Sequence, residues 1–108
     1  MSDRTDREIY QKIAALVTGC APLGWEIVWL EAEIGNDTGR TLFYWSPAGG
    51  ERAWFAPATR IQYEFYQLFQ ELREVMAARQ SAEKWTKATL TIRRNGKFSS
   101  NFGYAAGN

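Results

Sequence analysis

The stretch "GWEIVWLEAEI", residues 24–34, alternates with a period of two: Val28, Leu30, Ala32 and Ile34 point one way, and Ile27, Trp29, Glu31 and Glu33 the other. Strict alternation over this length is the mark of a strand with one buried face. The first set is a core face. The second places a large aromatic beside two carboxylates, a combination that neither a core nor an ordinary solvated surface requires.

Working outward, "GNDTG" (35–39) has the composition of a turn, and "RTLFYWSP" (40–47) follows as an apolar stretch on both faces, Leu42 and Tyr44 against Phe43 and Trp45. That pattern predicts a central strand covered at least partly on both sides. "AGGE" (48–51) is a second turn, and "RAWFAP" (52–57) a short third strand ended by Pro57. Three strands joined by short turns make an antiparallel meander. Neither glycine-bearing turn has phosphate-loop spacing or a following Lys-Ser/Thr.

Helical periodicity flanks the meander. Thr5 and Glu8 form a capping-box pattern, and Ile9, Ile13, Leu16, Val17 and Cys20 recur on one stripe that Gly19 and Pro22 bring to an end. Cys20 lies on that stripe and reads as a small core residue. Thr59 with Gln62 repeats the capping pattern, and Ile61, Phe65, Leu68, Leu72, Val75 and Met76 form a second stripe widened by Phe69. "RQSAEK" (79–84) reads as a polar loop.

The tail from Trp85 is a hairpin around Asn95-Gly96. A two-residue turn would set Arg93 opposite Phe98 and send both phenylalanines to the polar face. A three-residue loop with Gly96 left-handed pairs Ile92 with Phe98, Ala88 with Phe102 and Thr86 with Tyr104. Because a one-residue slip reverses every side chain, burial favours the three-residue loop. The element order is α-β-β-β-α-β-β. It predicts an α+β two-layer sandwich over residues 1–108 as one domain, with an antiparallel sheet of about five strands and both helices on one face.

Composition narrows the function. The 108 residues are 45% hydrophobic with five Trp, enough to fold without disulfides or metal, and the net charge of +1 gives no global field for nucleic acid or membrane. Charge divides along the chain, from −3 over residues 1–40 to +4 over 83–108. There is no histidine and one cysteine, which removes the commonest general base and the usual zinc sets. No apolar run has membrane-spanning length and the N-terminus is charged, so the expected compartment is the cytoplasm.

Glu31 and Glu33 stand about 7 Å apart by strand rise, yet no histidine, nucleophile motif or metal set accompanies them, and they read as a solvated or partner-facing edge of the strand rather than a catalytic pair. "RRNGK" (93–97) with Lys87 could meet phosphates, but a solvated hairpin tip explains it better, and the two glutamates would repel a nucleic-acid backbone at Trp29. Trp25 and Trp85 open strands and read as core or sheet-edge packing. Trp45 and Trp54 lie on strands whose facing the sequence leaves open. Five Trp exceed what two helices on one sheet face cover, so some should line the other face. Such an apolar patch rimmed by acids marks a protein interface. A partner protein is preferred as its cover over a C-terminal segment or a second copy in a homodimer.

Several stretches, in order, resemble the YezG-type immunity proteins: "EIYQKIAALV", "GWEIVWLEAEI", "TGRTLFYWSP", "WTKATLTIRRNGKF" and the closing "FGY". In that family an N-terminal "IYqkIa" helix precedes an "eW" strand, a "fyy" strand and a late "W…GkF…y.Y" hairpin. The resemblance implies a cytoplasmic antidote to the nuclease-type C-terminal domain of a secreted polymorphic toxin, used in contact-dependent competition between bacteria. It implies no catalysis and no cofactor. On this expectation Trp29, Glu31, Glu33 and Asp37 meet the toxin, with Trp45 and Trp54 as further candidates. The aromatic would be the anchor, and the carboxylates would match a basic, phosphate-binding surface and speed encounter. The alternative is a nucleic-acid-binding or regulatory module using the basic hairpin and the aromatic face.

Overall fold

A computed structural model describes residues 5–35, 39–80 and 84–104. Its elements are α1 (Asp6–Cys20), β1 (Trp25–Ile34), β2 (Gly39–Pro47), β3 (Ala53–Trp54), α2 (Thr59–Gln80), β4 (Trp85–Arg93) and β5 (Phe98–Tyr104), in the predicted α+β order. Residues 36–38 and 81–83, inside the expected turn and loop, lie outside the described residues, and α2 extends to Gln80, two residues into the stretch 79–84 expected to be loop.

The strands form one antiparallel sheet in the order β3-β2-β1-β4-β5. The meander supplies β1 to β3, and α2 then carries the chain back so that β4 pairs with the free edge of β1. The middle strand is therefore β1, while β2 is interior, held between β1 and β3. The third strand is shorter than the expected 52–57. Its ladder is followed only by Phe55 N–H donating to the Phe43 carbonyl at 2.9 Å, and Pro57 has no N–H to continue it.

Val28, Leu30, Ala32 and Ile34 of β1 are buried with Phe43 of β2 and Ala88, Leu90 and Ile92 of β4. Onto this face α1 lays Ile9, Ile13 and Val17, and α2 lays Phe65, Phe69 and Leu72, all six without solvent exposure. Cys20 packs at the margin of this core, and burial pushes its thiol up from its ordinary value, so it is poorly suited to act as a nucleophile.

Trp25 and Trp85 reach the same core by a shared device. By simple alternation each would sit on the same face as Trp29. A register shift between Trp25 and Ile27 against β2, and another between Trp85 and Lys87 against β5, turns each ring to the helix side. Trp25 is 8% exposed and Trp85 1%. The second shift also alters one expected pair. Ile92 does face Phe98 and Ala88 faces Phe102, but Tyr104 lies opposite Trp85, not Thr86. At the hairpin tip Gly96 has φ 94°, its N–H donates to the Arg93 carbonyl at 2.9 Å, and the three-residue loop is the one formed.

The α1 cap is a complete capping box: Thr5 Oγ1 accepts from the Glu8 N–H at 3.3 Å and Glu8 Oε1 accepts from the Thr5 N–H at 2.8 Å. Thr5→Ala should cost about 1 kcal/mol in urea denaturation, and an unchanged midpoint would show that the cap contributes nothing. The second box expected at Thr59 and Gln62 is not formed. Thr59 is already helical, and Gln62 reaches back as a donor, Nε2 to the Pro57 carbonyl at 2.7 Å.

Candidate partner-binding face

The sheet face turned away from the helices is ordered by the strand register. Trp54, Tyr44, Trp29, Thr91 and Ser99 stand directly opposite one another across all five strands, so three aromatics from β3, β2 and β1 form one row. Trp54 is 73% exposed. The next row carries Leu42, Glu31, Thr89 and Asn101, and the row beyond it Arg40, Glu33 and Lys87. On the other side of the aromatic row, Ile27 stands opposite Arg93.

Arg52 ties the first two rows together. It lies two residues before Trp54 and therefore on the same side of the chain. Its guanidinium sits 4.1 Å from the Tyr44 ring centroid and 4.8 Å from that of Trp29, and its Nη2 donates to Glu31 Oε2 at 2.9 Å. Planar guanidinium stacked on aromatic rings and hydrogen-bonded to a carboxylate is the arrangement for which arginine is best shaped. It also explains how β2 is apolar on both faces while only one is covered by helix: the Tyr44 ring is shielded by the Arg52 side chain.

Neither glutamate stands free. Glu33 accepts from Arg40 Nε at 3.1 Å and has Lys87 Nζ 3.9 Å from its other oxygen. Both partners are well exposed, so these pairs fix geometry more than they stabilise the fold. Among the described residues the rows hold two carboxylates and four bases, Arg40, Arg52, Lys87 and Arg93. The face is thus mildly basic, with its acids internally neutralised. The carboxylates do not present a free negative field.

Of the residues expected to meet a partner, Trp29, Glu31, Glu33 and Trp54 share this face. Trp45 does not belong with them: it stands opposite Val28 and Ala53, on the helix side, packed against the core. The alternation of β2 can send only one of Tyr44 and Trp45 to the open face, and it sends Tyr44. Asp37 lies outside the described residues. Arg52 was missed by sequence reasoning, although its two-residue offset from Trp54 was a legible signal.

Among the described residues no helix is long and apolar enough to cross a membrane, and no group of three or more His, Cys, Asp or Glu is placed to hold a metal ion. The sequence model of the YezG-like immunity protein family matches residues 7–107. The chain is 29% identical to an immunity protein YezG of Bacillus spizizenii over 90% of its own length and 67% of the relative's. It is 25% identical to an immunity protein YezG of Bacillus subtilis over 91% and 72%. The match runs through both helices and all five strands, and the chain belongs to the YezG-like immunity protein family.

Proposed function

We propose that this chain neutralises a cognate toxin domain by binding it through the open sheet face, without catalysis. The observation that carries this reading is the row Trp29, Tyr44 and Trp54 left uncovered by either helix. Aromatic side chains on a rigid sheet supply desolvated anchors at small entropic cost, and membership of an immunity protein family supports a protein as the occupant. The partner we propose is the C-terminal nuclease domain of a secreted bacterial polymorphic toxin, met in the cytoplasm.

Because Glu31 and Glu33 are already paired with bases, the proposed inhibition is steric, by covering the toxin, and does not imitate its phosphate substrate. Glu31 then acts by holding Arg52 against Trp29 and Tyr44. The purified chain should form a stoichiometric complex with its cognate toxin domain, and failure to form one would overturn the proposal.

The kinetics separate the two roles of the acids. Glu31→Gln frees Arg52 and should raise the dissociation rate less than about tenfold, with the association rate nearly unchanged. A slowed, salt-sensitive association in stopped-flow would restore steering by the acids and contradict the preorganising role.

A further inference from the structure

The two edges of the sheet are unlike. β3 is two residues long and is soon followed by Pro57, so it offers little ladder to another strand. β5 forms the opposite edge over seven residues, and its sequence FSSNFGY holds neither a charge nor a proline, the usual devices that keep an edge from pairing. The irregularity in its ladder belongs to β4, where Thr86 is the extra residue, so β5 itself alternates without a break.

The hydrogen bonds show which backbone groups of β5 are open. In an antiparallel ladder a residue turns its N–H and C=O to one neighbour and the next residue turns to the other. Arg93 N–H donates to the Lys97 carbonyl at 2.9 Å, so Arg93 faces the β5 side, as do Thr91 and Thr89, which stand opposite Ser99 and Asn101. The Gly103 carbonyl also turns to β4, where it accepts from Thr86 Oγ1 at 3.5 Å. The backbone groups of Phe98, Ser100, Phe102 and Tyr104 therefore point away from the sheet. Among the described residues none of them bonds to another element.

A second copy of β5 matches this edge. Set antiparallel about Asn101, two copies pair Phe98 with Tyr104 and Ser100 with Phe102, so that every outward-turned residue meets another. Ser99 then faces Gly103, and Asn101 faces its own counterpart on the two-fold axis. Phe98 and Tyr104, 37% and 43% exposed at the two ends of the strand, cover one another across the contact. No like charges are opposed, because the strand carries none.

We propose that the chain forms a two-fold dimer by antiparallel pairing of β5, which joins two sheets into one of ten strands. A single edge is a small contact, so the dimer is weak and forms at high chain concentration. Both open faces stay uncovered on one side of the joined sheet, so the dimer is independent of the toxin reading and compatible with it.

The test combines sedimentation equilibrium with amide hydrogen exchange. The wild-type chain should dimerise as its concentration rises, and the Ser100 and Phe102 amides should then exchange more slowly while those of Ser99 and Asn101 do not change. Asn101→Lys and Asn101→Asp each place two like charges about 5 Å apart on the axis, so each alone should sediment as a monomer, and their equimolar mixture should dimerise again. Asn101 is exposed, so both variants should melt with the wild type; should either unfold, the exchange pattern of the wild type decides. A chain that stays monomeric at every concentration, or a dimer without slowed exchange at Ser100 and Phe102, would overturn the proposal. Slowed exchange at those two amides only when the toxin domain is added would assign the edge to the toxin and overturn the second copy.

Discussion

Trp29→Ala is expected to weaken binding of the toxic domain by about 2 kcal/mol or more, roughly thirtyfold in Kd. The ring occupies the middle strand of the sheet and the middle of the open face, where a docking surface excludes water most completely. Its removal also takes away one of the two rings on which the Arg52 guanidinium rests. Trp29 contributes nothing to the buried core cluster, so the variant should melt close to the wild type. Trp45→Ala provides the contrast. That side chain packs against the core from the helix side, and its loss should appear in stability with affinity nearly preserved. Full affinity in a folded Trp29→Ala protein would remove the row from the interface.

The largest effect on stability is expected at Phe69. Its side chain has no solvent exposure, lies on α2, and meets Trp85 edge to face with centroids 6.4 Å apart and planes at 86°. Trp85 in turn lies 5.6 Å from Phe102 of β5, so the Phe69 ring joins the helix layer to the far edge of the sheet through one aromatic chain. Phe69→Ala should cost about 3–5 kcal/mol from lost transfer energy and the cavity left behind. Domains of this size hold about 5–15 kcal/mol in total, so the variant should be close to unfolding at physiological temperature. Chemical denaturation reads this directly. A loss below about 1 kcal/mol would mean that the core around Trp85 collapses to fill the space, contrary to the packing described.

Much of this fold can be read from side-chain period alone. The period of two in 27–34 and of 3.6 in both helices each survives in the structure, because burial of one face fixes both conformation and facing. Burial likewise settles the hairpin register, since only the three-residue loop brings Phe98 and Phe102 to the helix side. The strand-opening tryptophans show where period fails. A β-bulge inserts one residue without any sequence signal of its own, and it reverses the facing of Trp25 and Trp85.

The site is legible in part for the same reason. Trp29, Glu31 and Glu33 lie on a clean alternating strand, and their common face follows from it. In β2 both faces are apolar, so nothing local distinguishes Tyr44 from Trp45, and only the pairing of Trp29 with Tyr44 decides. Arg52 reaches across from outside the regular part of β3 to Glu31, 21 residues away in the chain, and such long-range ion pairs are set by tertiary placement. That one pairing changes the chemistry of the face, turning an apparent acidic patch into a neutralised aromatic platform.

The central claim is that this chain is an antidote whose open sheet face covers its toxin. The most direct measurement is survival of cells induced for the cognate toxin domain, alone, with the wild-type chain and with Trp29→Ala at matched expression. Rescue by the wild type, with a co-purifying complex, and reduced rescue by Trp29→Ala is the predicted result. Toxicity that the wild-type chain does not relieve would contradict the antidote itself, and equal rescue by both forms would contradict the face assigned to it.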